Sequence, residues 1–495
     1  MSLINVQNLT FCYDGSYDNI FENVSFQLDT DWMLGFTGRN GRGKTTFLNL
    51  LLGRYSYSGT ISATVDFEYF PYKVGDKTVN TIDIVEQIFP DYEYWQVAKE
   101  LNLLKVDEDV LYRPFETLSN GEQTKVLLAV MFLKQNSFLL IDEPTNHLDL
   151  QARQTVCRYL NSKKGFILVS HDRAFLDGCV DHVLSINRTN IEIQQGNFSS
   201  WLHNKQLQDN FELAENVKLK KEIRRLEATA KEKANWSDIA DRRKVGIDPN
   251  KVDNIKGYRP LQAAKAEKTM KRAKAIEKRN EKAVEEKSKL LKNIETSEDL
   301  KISQLDFHTK QLIYAENLSV SYDGRTVFKD LSFAVNRGDR VQLKGSNGSG
   351  KSSIIRLICG EDVPHSGTLH TASGLVVSYV PQSVENMQGN LTDYARMHGI
   401  DESLFKAILR KLDFARVQFE KDISGYSDGQ KKKVLIAKSL CQKAHLHIWD
   451  EPMNYIDVIS RMQIENLLKQ YQPTLLFVEH DSAFCENIAT KVIEL

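Results

Sequence analysis

Short apolar runs occur in matched pairs near the two ends of the chain and predict β-strands. Residues 33–36 pair with 340–343, residues 137–141 with 444–449, and residues 166–169 with 475–478. The middle pair is apolar enough to lie in a mainly parallel sheet that is covered on both faces. The pattern therefore predicts an α/β fold with one such sheet in each half of the chain.

Residues 205–304 differ from both ends, with few aromatic residues and many Lys, Glu and Ala. Apolar or small residues follow helical spacing over about 207–234 and again over about 261–296, where they form a weak heptad pattern. Gly and Pro interrupt the pattern between these stretches. We expect a linker built as an antiparallel helical hairpin of roughly 40–50 Å, with its tip near 236–260. The alternative is a solvated helical spacer that only sets the distance between domains.

The two ends of the chain match each other motif by motif. LTFCYDG at 9–15 matches LSVSYDG at 318–324, GRNGRGKT at 38–45 matches GSNGSGKS at 345–352, and an Asp-Glu-Pro sequence recurs at 142 and 450. The offset stays between 307 and 309 residues, which indicates a tandem duplication. We therefore expect domains at 1–204 and 305–495, joined by the linker at 205–304.

Length and composition agree with several folded domains. The chain has 495 residues, of which 41% are hydrophobic and 26% charged, so disordered and collagen-like classes are excluded. Six cysteines lie scattered without CxxC spacing, so neither a zinc site nor a disulfide framework is expected. The N-terminus lacks signal-peptide features and no apolar run reaches about 18 residues, so we expect a cytoplasmic protein without a membrane partner.

Each half carries the motif GxxxxGK[ST] between a predicted strand and a predicted helix. Its glycines let backbone N–H groups surround phosphate oxygens, its Lys reaches the β- and γ-phosphates, and its hydroxyl ligates Mg²⁺. We therefore expect ATP and Mg²⁺ as ligands. The predicted ATP-binding residues of these loops are Gly38, Asn40, Gly41, Gly43, Lys44, Thr45 and Thr46, with Gly345, Asn347, Gly348, Gly350, Lys351, Ser352 and Ser353.

Adjacent carboxylates follow the strand at 137–141 and its counterpart at 444–449. Asp142 and Asp450 fit the Mg²⁺ shell together with Thr45 and Ser352, whereas Glu143 and Glu451 fit the polarisation of attacking water. A carboxylate that merely caps the next helix is the structural alternative.

A signature motif then identifies a resemblance that spans essentially all 495 residues: LSNGEQ at 118–123 and YSDGQ at 426–430 resemble those of ATP-binding-cassette (ABC) proteins of the F type. The resemblance implies two ABC ATPase domains, each signature facing the phosphate loop of the opposite copy, with two ATP molecules sandwiched between them. It adds as ATP-binding residues Ser119, Gly121, Glu122, Ser427, Gly429 and Gln430.

Further residues match the family one at a time. Tyr13 and Tyr322 match the aromatic residue that stacks on adenine, with an ordinary core aromatic as the alternative. His171 and His480 match the catalytic switch histidine, and Gln382 matches the glutamine of the Mg²⁺ shell.

Other positions depart from the family pattern. The first copy has Tyr72 where the second has Gln382, and the second has Tyr426 for the usual signature leucine and Met453 for Thr145. We therefore expect unequal ATP sites, with slow hydrolysis at the first phosphate loop.

F-type proteins act on ribosomes. The compact domains and long linker resemble the antibiotic-resistance branch, in particular the Lsa group, associated with lincosamide, streptogramin A and pleuromutilin resistance. The resemblance implies a monomer whose paired domains occupy the tRNA exit site and whose linker reaches past the tRNA at the peptidyl site toward the peptidyl transferase centre in 23S rRNA. A housekeeping translation factor and a DNA-associated ATPase are the alternatives.

Charge supports an RNA target for the linker. Residues 205–304 hold 26 basic against 18 acidic side chains, a net of +8, whereas the whole chain has a net charge of −1. Cations of this kind neutralise phosphates, and an aromatic ring at the tip stacks on an unpaired base. The predicted RNA-binding residues are Arg242, Arg243, Lys244, Lys251, Lys256, Tyr258 and Arg259. A solvated turn without contacts is the alternative.

Overall fold

The computed structural model describes residues 2–13, 19–146, 148–187, 190–245, 271, 279, 305, 307–322, 325–384, 387–414 and 416–495. In this range the two ends of the chain repeat one α/β architecture, as predicted. The strands are β1 Leu3–Phe11, β2 Phe21–Asp29, β3 Met33–Thr37, β4 Ser58–Ser62, β5 Asp66–Phe70, β6 Ser137–Asp142, β7 Phe166–Val169, β8 His182–Asn187, β9 Asn190–Gln195, β10 Gln311–Tyr322, β11 Arg325–Asn336, β12 Arg340–Lys344, β13 His365–Thr371, β14 Val377–Val380, β15 Leu446–Asp450, β16 Leu475–Val478 and β17 Lys491–Glu494. The α-helices are α1 Lys44–Leu51, α2 Thr81–Ile88, α3 Tyr94–Leu103, α4 Asn120–Met131, α5 Leu150–Asn161, α6 Arg173–Cys179, α7 Phe198–Val245, α8 Lys351–Ile358, α9 Leu391–Met397, α10 Glu402–Lys411, α11 Asp428–Cys441, α12 Val458–Tyr471 and α13 Ser482–Ile488.

The core sheet of the first copy has the strand order β5-β6-β7-β3-β8-β9. Its neighbouring pairs are parallel apart from β8 and β9, which pair antiparallel. A smaller antiparallel sheet, β2-β1-β4, shares a hydrophobic core with α1 and the core sheet. The carboxyl ends of β3, β6 and β7 therefore meet at one edge, where ligands bind in open α/β sheets.

The second copy repeats this plan with a parallel sheet in the order β14-β15-β16-β12-β17 and an antiparallel sheet β11-β10-β13. Strand β15 begins at Leu446 rather than at the predicted Ala444. The reason is that its pairing with the parallel strand β14 begins at Leu446, which lies opposite Val377, the first residue of β14. Helices α9 to α13 enclose a second hydrophobic core against β15 and β16. Helix α11, which begins directly after the signature serine, is thereby anchored to the core sheet.

The helix that leads into the linker is longer than predicted. Helix α7 has 48 residues, against an expected stretch of about 207–234, and at 1.5 Å per residue it extends over roughly 72 Å. Asn197 accepts a hydrogen bond from the Ser200 backbone N–H at 3.0 Å, which caps the first turn. The predicted extent of 40–50 Å was therefore too short for this arm, and residues 236–245 are helical rather than part of an irregular tip.

Packing of the chain separates two compact units, Met1–Trp201 with Asp299–Leu495, and Leu202–Glu298. The predicted domain limits at 204 and 304 stay predictions, as does the second linker helix, which falls outside the described residues apart from residues 271 and 279. Of the predicted RNA-binding set, Arg242, Arg243 and Lys244 fall in α7. Lys251, Lys256, Tyr258 and Arg259 lie outside the described residues.

Candidate functional site

Each phosphate-loop motif forms a tight loop between a core strand and a helix. In the first copy Gly41 and Gly43 have φ values of 79° and 96°, a region that glycine adopts without strain. The buried Lys44 Nζ donates to the carbonyl oxygens of Gly38 at 2.7 Å and Arg39 at 3.3 Å and to Asn40 Oδ1 at 3.3 Å. The loop therefore holds one cation at its centre, with helix α1 beginning at that lysine.

The second copy repeats the arrangement. Lys351 Nζ donates to the carbonyl oxygens of Gly345 at 2.9 Å and Ser346 at 2.8 Å, and helix α8 begins at this lysine. Burial lowers the pKa of both lysines, while neighbouring carboxylates oppose that change. Phosphate oxygens offer such a lysine stronger acceptors than loop carbonyls do.

A hydroxyl faces a carboxylate beside each loop. Thr45 Oγ1 donates to Asp142 Oδ2 at 3.5 Å, and Ser352 Oγ donates to Asp450 Oδ2 at 3.4 Å. The described residues contain no cluster of three His, Cys, Asp or Glu side chains suited to holding a metal. Mg²⁺ commonly takes one or two carboxylates together with nucleotide phosphates and water, so a hydroxyl next to one carboxylate fits it.

The adjacent glutamates differ sharply between the copies. Glu143 Oε1 is buried without a hydrogen-bond partner, and His171 Nε2 approaches it to 3.3 Å. Burial and the neighbouring Asp142 raise the pKa of Glu143 to about 8.

Glu451 lies in a more polar setting. Its Oε2 accepts hydrogen bonds from Gln382 Nε2 at 2.9 Å and from Asn454 Nδ2 at 2.7 Å, and His480 Nε2 lies 3.6 Å from Oε1. Burial alone would raise the pKa of Glu451, but these three groups outweigh it and lower the pKa to about 2. One glutamate is thus held protonated near neutral pH and the other ionised.

Tyr69 adds to this difference and was not predicted from the sequence. Its hydroxyl donates to Asp142 Oδ2 at 2.9 Å. The pairing of Tyr69 with Leu140 in neighbouring parallel strands places it one step before the strand end, a register that the sequence alone does not fix. Burial, followed by the effect of Asp142, raises the pKa of Tyr69, so it stays a neutral donor.

Two cavities combine residues from both copies. The first, of about 520 Å³, places the loop residues Asn40, Lys44 and Thr45 together with Ser427 and Gly429 of the second signature. The second, of about 1410 Å³, places the loop at 347–353 together with residues 119–122 of the first signature. Each phosphate loop thus faces the signature of the opposite copy.

Most of the predicted site residues line one of these two cavities. The first cavity is lined by Tyr13, Asn40, Gly41, Gly43, Lys44, Thr45, Thr46, Asp142, Glu143, His171, Ser427 and Gly429. The second is lined by Ser119, Gly121, Glu122, Tyr322, Asn347, Gly348, Gly350, Lys351, Ser352, Ser353, Gln382, Glu451 and His480. Gly38 and Gly345 act one step away by accepting from the lysines, Asp450 contacts Ser352, and Gln430 supports Ser427 in a capping box.

The signature serines cap the helices that point into these cavities. Ser119 Oγ accepts from the Glu122 N–H at 3.3 Å, and Ser427 Oγ accepts from the Gln430 N–H at 3.4 Å. The positive ends of helices α4 and α11 therefore face the opposite loops. A Cβ on Gly429 would lie 2.3 Å from the Tyr455 carbonyl oxygen, so glycine is required at that point.

The two tyrosines predicted to stack on adenine lie at the cavity walls. Tyr13 OH hydrogen-bonds Thr46 Oγ1 at 2.6 Å, and Tyr322 OH hydrogen-bonds Ser353 Oγ at 3.0 Å. Tyr13 is 41% exposed and Tyr322 is 38% exposed. Each ring is therefore fixed by its hydroxyl while much of its surface stays available for stacking.

Hydrogen bonds and an ion pair also join the two copies directly. Asn40 Nδ2 donates to the Tyr455 carbonyl at 2.7 Å, and Arg153 Nη1 donates to the His480 carbonyl at 3.2 Å. Arg173 forms a buried ion pair with Glu465. Sequence reasoning missed both arginines, although Arg153 could have been noticed because its counterpart Arg461 recurs at the repeat offset.

Comparison with known proteins agrees with this geometry. The profile of the ABC transporter family matches residues 21–146 and 328–454. The chain is 28% identical over 492 residues to the ribosome protection protein VmlR of Bacillus subtilis (strain 168), covering 96% of this chain and 84% of that protein. It is 25% identical to the ATP-binding protein Uup of Buchnera aphidicola subsp. Schizaphis graminum (strain Sg), covering 99% and 80% of the two chains.

Among solved structures, the archaeal ribosome recycling factor aABCE1, in complex with the ribosomal stalk protein aP1, has a TM-score of 0.60 at 17% identity over 98% of this chain and 87% of that one. No helix in the described part of the chain is long and apolar enough to cross a membrane. The predicted fold of tandem ABC ATPase domains is confirmed. The chain belongs to the ABC transporter family as an ATP-binding ATPase, and its paired domains and relatives support the F-type assignment.

Proposed function

We propose that this ATPase binds ribosomes when ATP closes its two ABC domains, and that it protects translation from antibiotics of the peptidyl transferase centre. The observation that carries the proposal is the pairing of each phosphate loop with the opposite signature in one cavity. In such an arrangement a bound ATP contacts both domains at once, so binding energy favours the closed form. ATP therefore acts as the switch for the ribosome-binding state.

Within each cavity the residues take distinct roles. Lys44 and Lys351 hold the β- and γ-phosphates, and Ser119 and Ser427, with their helix ends, complete the γ-phosphate environment from the opposite side. Tyr13 and Tyr322 support the adenine. Mg²⁺, when bound, neutralises charge on the phosphates.

The metal ion would be held by Thr45 and Asp142 in the first cavity and by Ser352, Asp450 and Gln382 in the second. Glu143 and Glu451 orient and polarise the attacking water. His171 and His480, whose Nε2 atoms lie 3.3 Å and 3.6 Å from these glutamates, would contact the γ-phosphate. An ionised glutamate is the better proton acceptor, so the second cavity hydrolyses ATP faster than the first.

Three features support a ribosomal partner. A relative that matches 96% of the chain is named a ribosome protection protein. A 48-residue helix, Phe198–Val245, leads into the linker, and residues 205–304 carry a net charge of +8. We assign this cytoplasmic monomer, with domains 1–204 and 305–495, to the tRNA exit site. Its linker, residues 205–304, would be directed at 23S rRNA and the tRNA at the peptidyl site.

We expect protection against drugs of the lincosamide, streptogramin A and pleuromutilin classes. We expect Glu143→Gln combined with Glu451→Gln to trap the protein on ribosomes, because closure survives while hydrolysis stops. Sedimentation with ATP measures this, and the single variants serve as controls. Absence of the double variant from the ribosome fraction would contradict ribosome binding.

The linker test separates protection from catalysis. Removal of residues 245–258 should abolish drug resistance of cells that express the protein while leaving the ATPase rate unchanged. Resistance that persists after the deletion would support the spacer alternative instead.

A housekeeping translation factor is the second candidate, because the relative Uup is named only as an ATP-binding protein and not as a ribosome protection protein. Drug susceptibility distinguishes the two candidates. A factor of this kind would bind ribosomes with ATP but leave susceptibility unaltered.

A further inference from the structure

A third cavity, of about 440 Å³, lies in the helical part of the second ABC domain and shares no lining residue with either ATP cavity. Helix α10 and the 3-10 helix Arg416–Glu420 form its walls. Its lining residues are Lys406, Arg410, Phe414, Arg416, Phe419 and Glu420. We propose that this basic-aromatic pocket binds one unpaired RNA nucleotide, with the base against Phe419 and the phosphate between Arg410 and Arg416. The proposal rests on the ribosomal function above and adds a second RNA contact to it.

The chemistry of the lining favours a nucleotide. The Arg410 guanidinium carbon lies 5.8 Å from the centre of the Phe419 ring, and Phe419 packs 5.9 Å from Phe414. Phe414 is buried and Phe419 half-buried, so Phe414 supports one side of Phe419 while part of Phe419 stays exposed to solvent. Planar cations and aromatic rings side by side are the usual means of binding unpaired bases and their phosphates.

The two arginines, rather than the lysine, carry the available charge. Lys406 forms an ion pair with Glu402 and also donates to Thr392 Oγ1 at 3.0 Å. Among the described residues no ion pair involves Arg410 or Arg416, and both are exposed. Although Glu420 contributes one carboxylate, the lining keeps an excess of positive charge.

The repeat provides an internal comparison. Helix α3 and the 3-10 helix Glu108–Tyr112 occupy the equivalent place in the first domain, at an offset of 308 residues. There Asn102 and Glu108 stand where the second domain has Arg410 and Arg416, and Asn102 Nδ2 donates to Glu108 Oε1 at 3.2 Å. A carboxylate at this point would repel phosphate, so the fold itself does not require a basic pocket.

The pocket is linked to the first ATP cavity through the segment after α10. Phe414 packs 5.7 Å from Tyr426, whose hydroxyl donates to the Gln418 carbonyl. Tyr426 directly precedes Ser427, which lines the first ATP cavity. In the same segment Asp413 forms an ion pair with Arg39 of the opposite phosphate loop. Closure of the domains therefore fixes the wall of the pocket, and RNA binding should be tighter with ATP, as reciprocal coupling requires.

The test uses the full chain carrying Glu143→Gln and Glu451→Gln, ATP, purified ribosomes, and a 4-thiouridine-containing oligouridine as a second probe. Arg410→Ala with Arg416→Ala should reduce the slope of log affinity against log salt by about 1.4, which corresponds to two single-strand phosphate contacts. Phe419→Ala should weaken binding by about 5- to 150-fold, the range for loss of one stacked base. The oligouridine should cross-link to the peptide that contains Phe419.

Asn102→Ala with Glu108→Ala is the matched control in the first domain and should leave slope, affinity and cross-link unchanged. Basal ATPase activity, measured in the wild-type background, should stay unaltered in every pocket variant and so reports correct folding. An unchanged salt slope together with cross-links elsewhere would overturn the pocket. Weaker ribosome binding with an unchanged slope would indicate a protein partner and also overturn it. A parent protein that fails to bind ribosomes but cross-links to oligouridine at Phe419 would refute the ribosomal proposal and support the pocket.

Discussion

We expect hydrolysis at the two ATP cavities to respond differently to pH, because Glu143 and Glu451 are the residues proposed to polarise the attacking water. Glu451→Gln leaves hydrolysis to the first cavity, and Glu143→Gln leaves it to the second. In Glu451→Gln the remaining glutamate is Glu143, which has a pKa of about 8 because burial and Asp142 disfavour its charge. In Glu143→Gln the remaining glutamate is Glu451, which has a pKa of about 2 because hydrogen bonds from His480, Gln382 and Asn454 outweigh its burial.

These values set the expected rates. A carboxyl with a pKa of about 8 is ionised in about one molecule in ten at pH 7 and about one in two at pH 8. The turnover of Glu451→Gln should therefore rise about fivefold between pH 7 and pH 8 and level off near pH 9. Glu143→Gln should show a flat profile over the same range, since Glu451 stays ionised throughout. Phosphate release at saturating ATP and Mg²⁺ measures both.

Thermal unfolding checks the same cause without turnover. The raised pKa of Glu143 means that folding opposes its charge, so its contribution to stability falls as pH rises from about 4.5 to about 8. The lowered pKa of Glu451 means that its charge stabilises the fold above about pH 4.5. Glu143→Gln should consequently raise the melting temperature at pH 8, and Glu451→Gln should lower it. Identical pH profiles of turnover in the two variants would refute the reasoning.

Two further predictions concern residues that lie where the two domains meet. Gly429→Ala would place a methyl carbon 2.3 Å from the Tyr455 carbonyl oxygen. Overpacking of about 1–3 kcal/mol should lower ATPase turnover about 5- to 150-fold. Gly121→Ala, where the nearest neighbour of the added carbon lies at 3.6 Å, should lower turnover far less. Equal losses in these two variants would contradict the steric reason. Arg173→Ala removes one partner of a buried ion pair and should cost about 3–5 kcal/mol of stability in chemical denaturation. A double-mutant cycle with Glu465→Ala should give a coupling above about 1 kcal/mol, and additive effects would show that the pair does not stabilise the fold.

The parts of the site that follow strand ends were accessible from the sequence. A glycine-rich loop after one apolar strand and two carboxylates after another meet at the same edge because the sheet is parallel, and the structure places Lys44 and Asp142 in one cavity. The repeat doubled the weight of each motif. The facing of opposite domains came only from the family resemblance, since no local pattern describes a contact 415 residues apart such as that between Asn40 and Tyr455.

Other features depend on properties that spacing does not express. The apolar periodicity predicts too short an α7, because the periodic pattern ends at the last apolar residue on one face of the helix. Lys, Glu and Ala extend the helix beyond that residue because they have high helix propensity. The opposite ionisation of Glu143 and Glu451 depends on burial and on individual hydrogen-bond donors. One such donor, Gln382, was visible as a difference from Tyr72, but the bond between Tyr69 and Asp142 required the strand register.

The departures from two-fold repetition concentrate around the first ATP cavity. Tyr69 donates a hydrogen bond to the carboxylate of Asp142 there, Glu143 Oε1 has no hydrogen-bond partner among the described residues, and the ion pair of Arg39 with Asp413 lies beside the same phosphate loop. In the proposed mechanism, hydrolysis in the second cavity would remove only one of two ATP molecules that join the domains, so the slower cavity would set how long the closed form lasts. The first cavity, with its slow hydrolysis, is also the one connected to the basic-aromatic pocket. A partner bound in that pocket would thus determine when the domains separate, rather than the intrinsic hydrolysis rate of the second cavity.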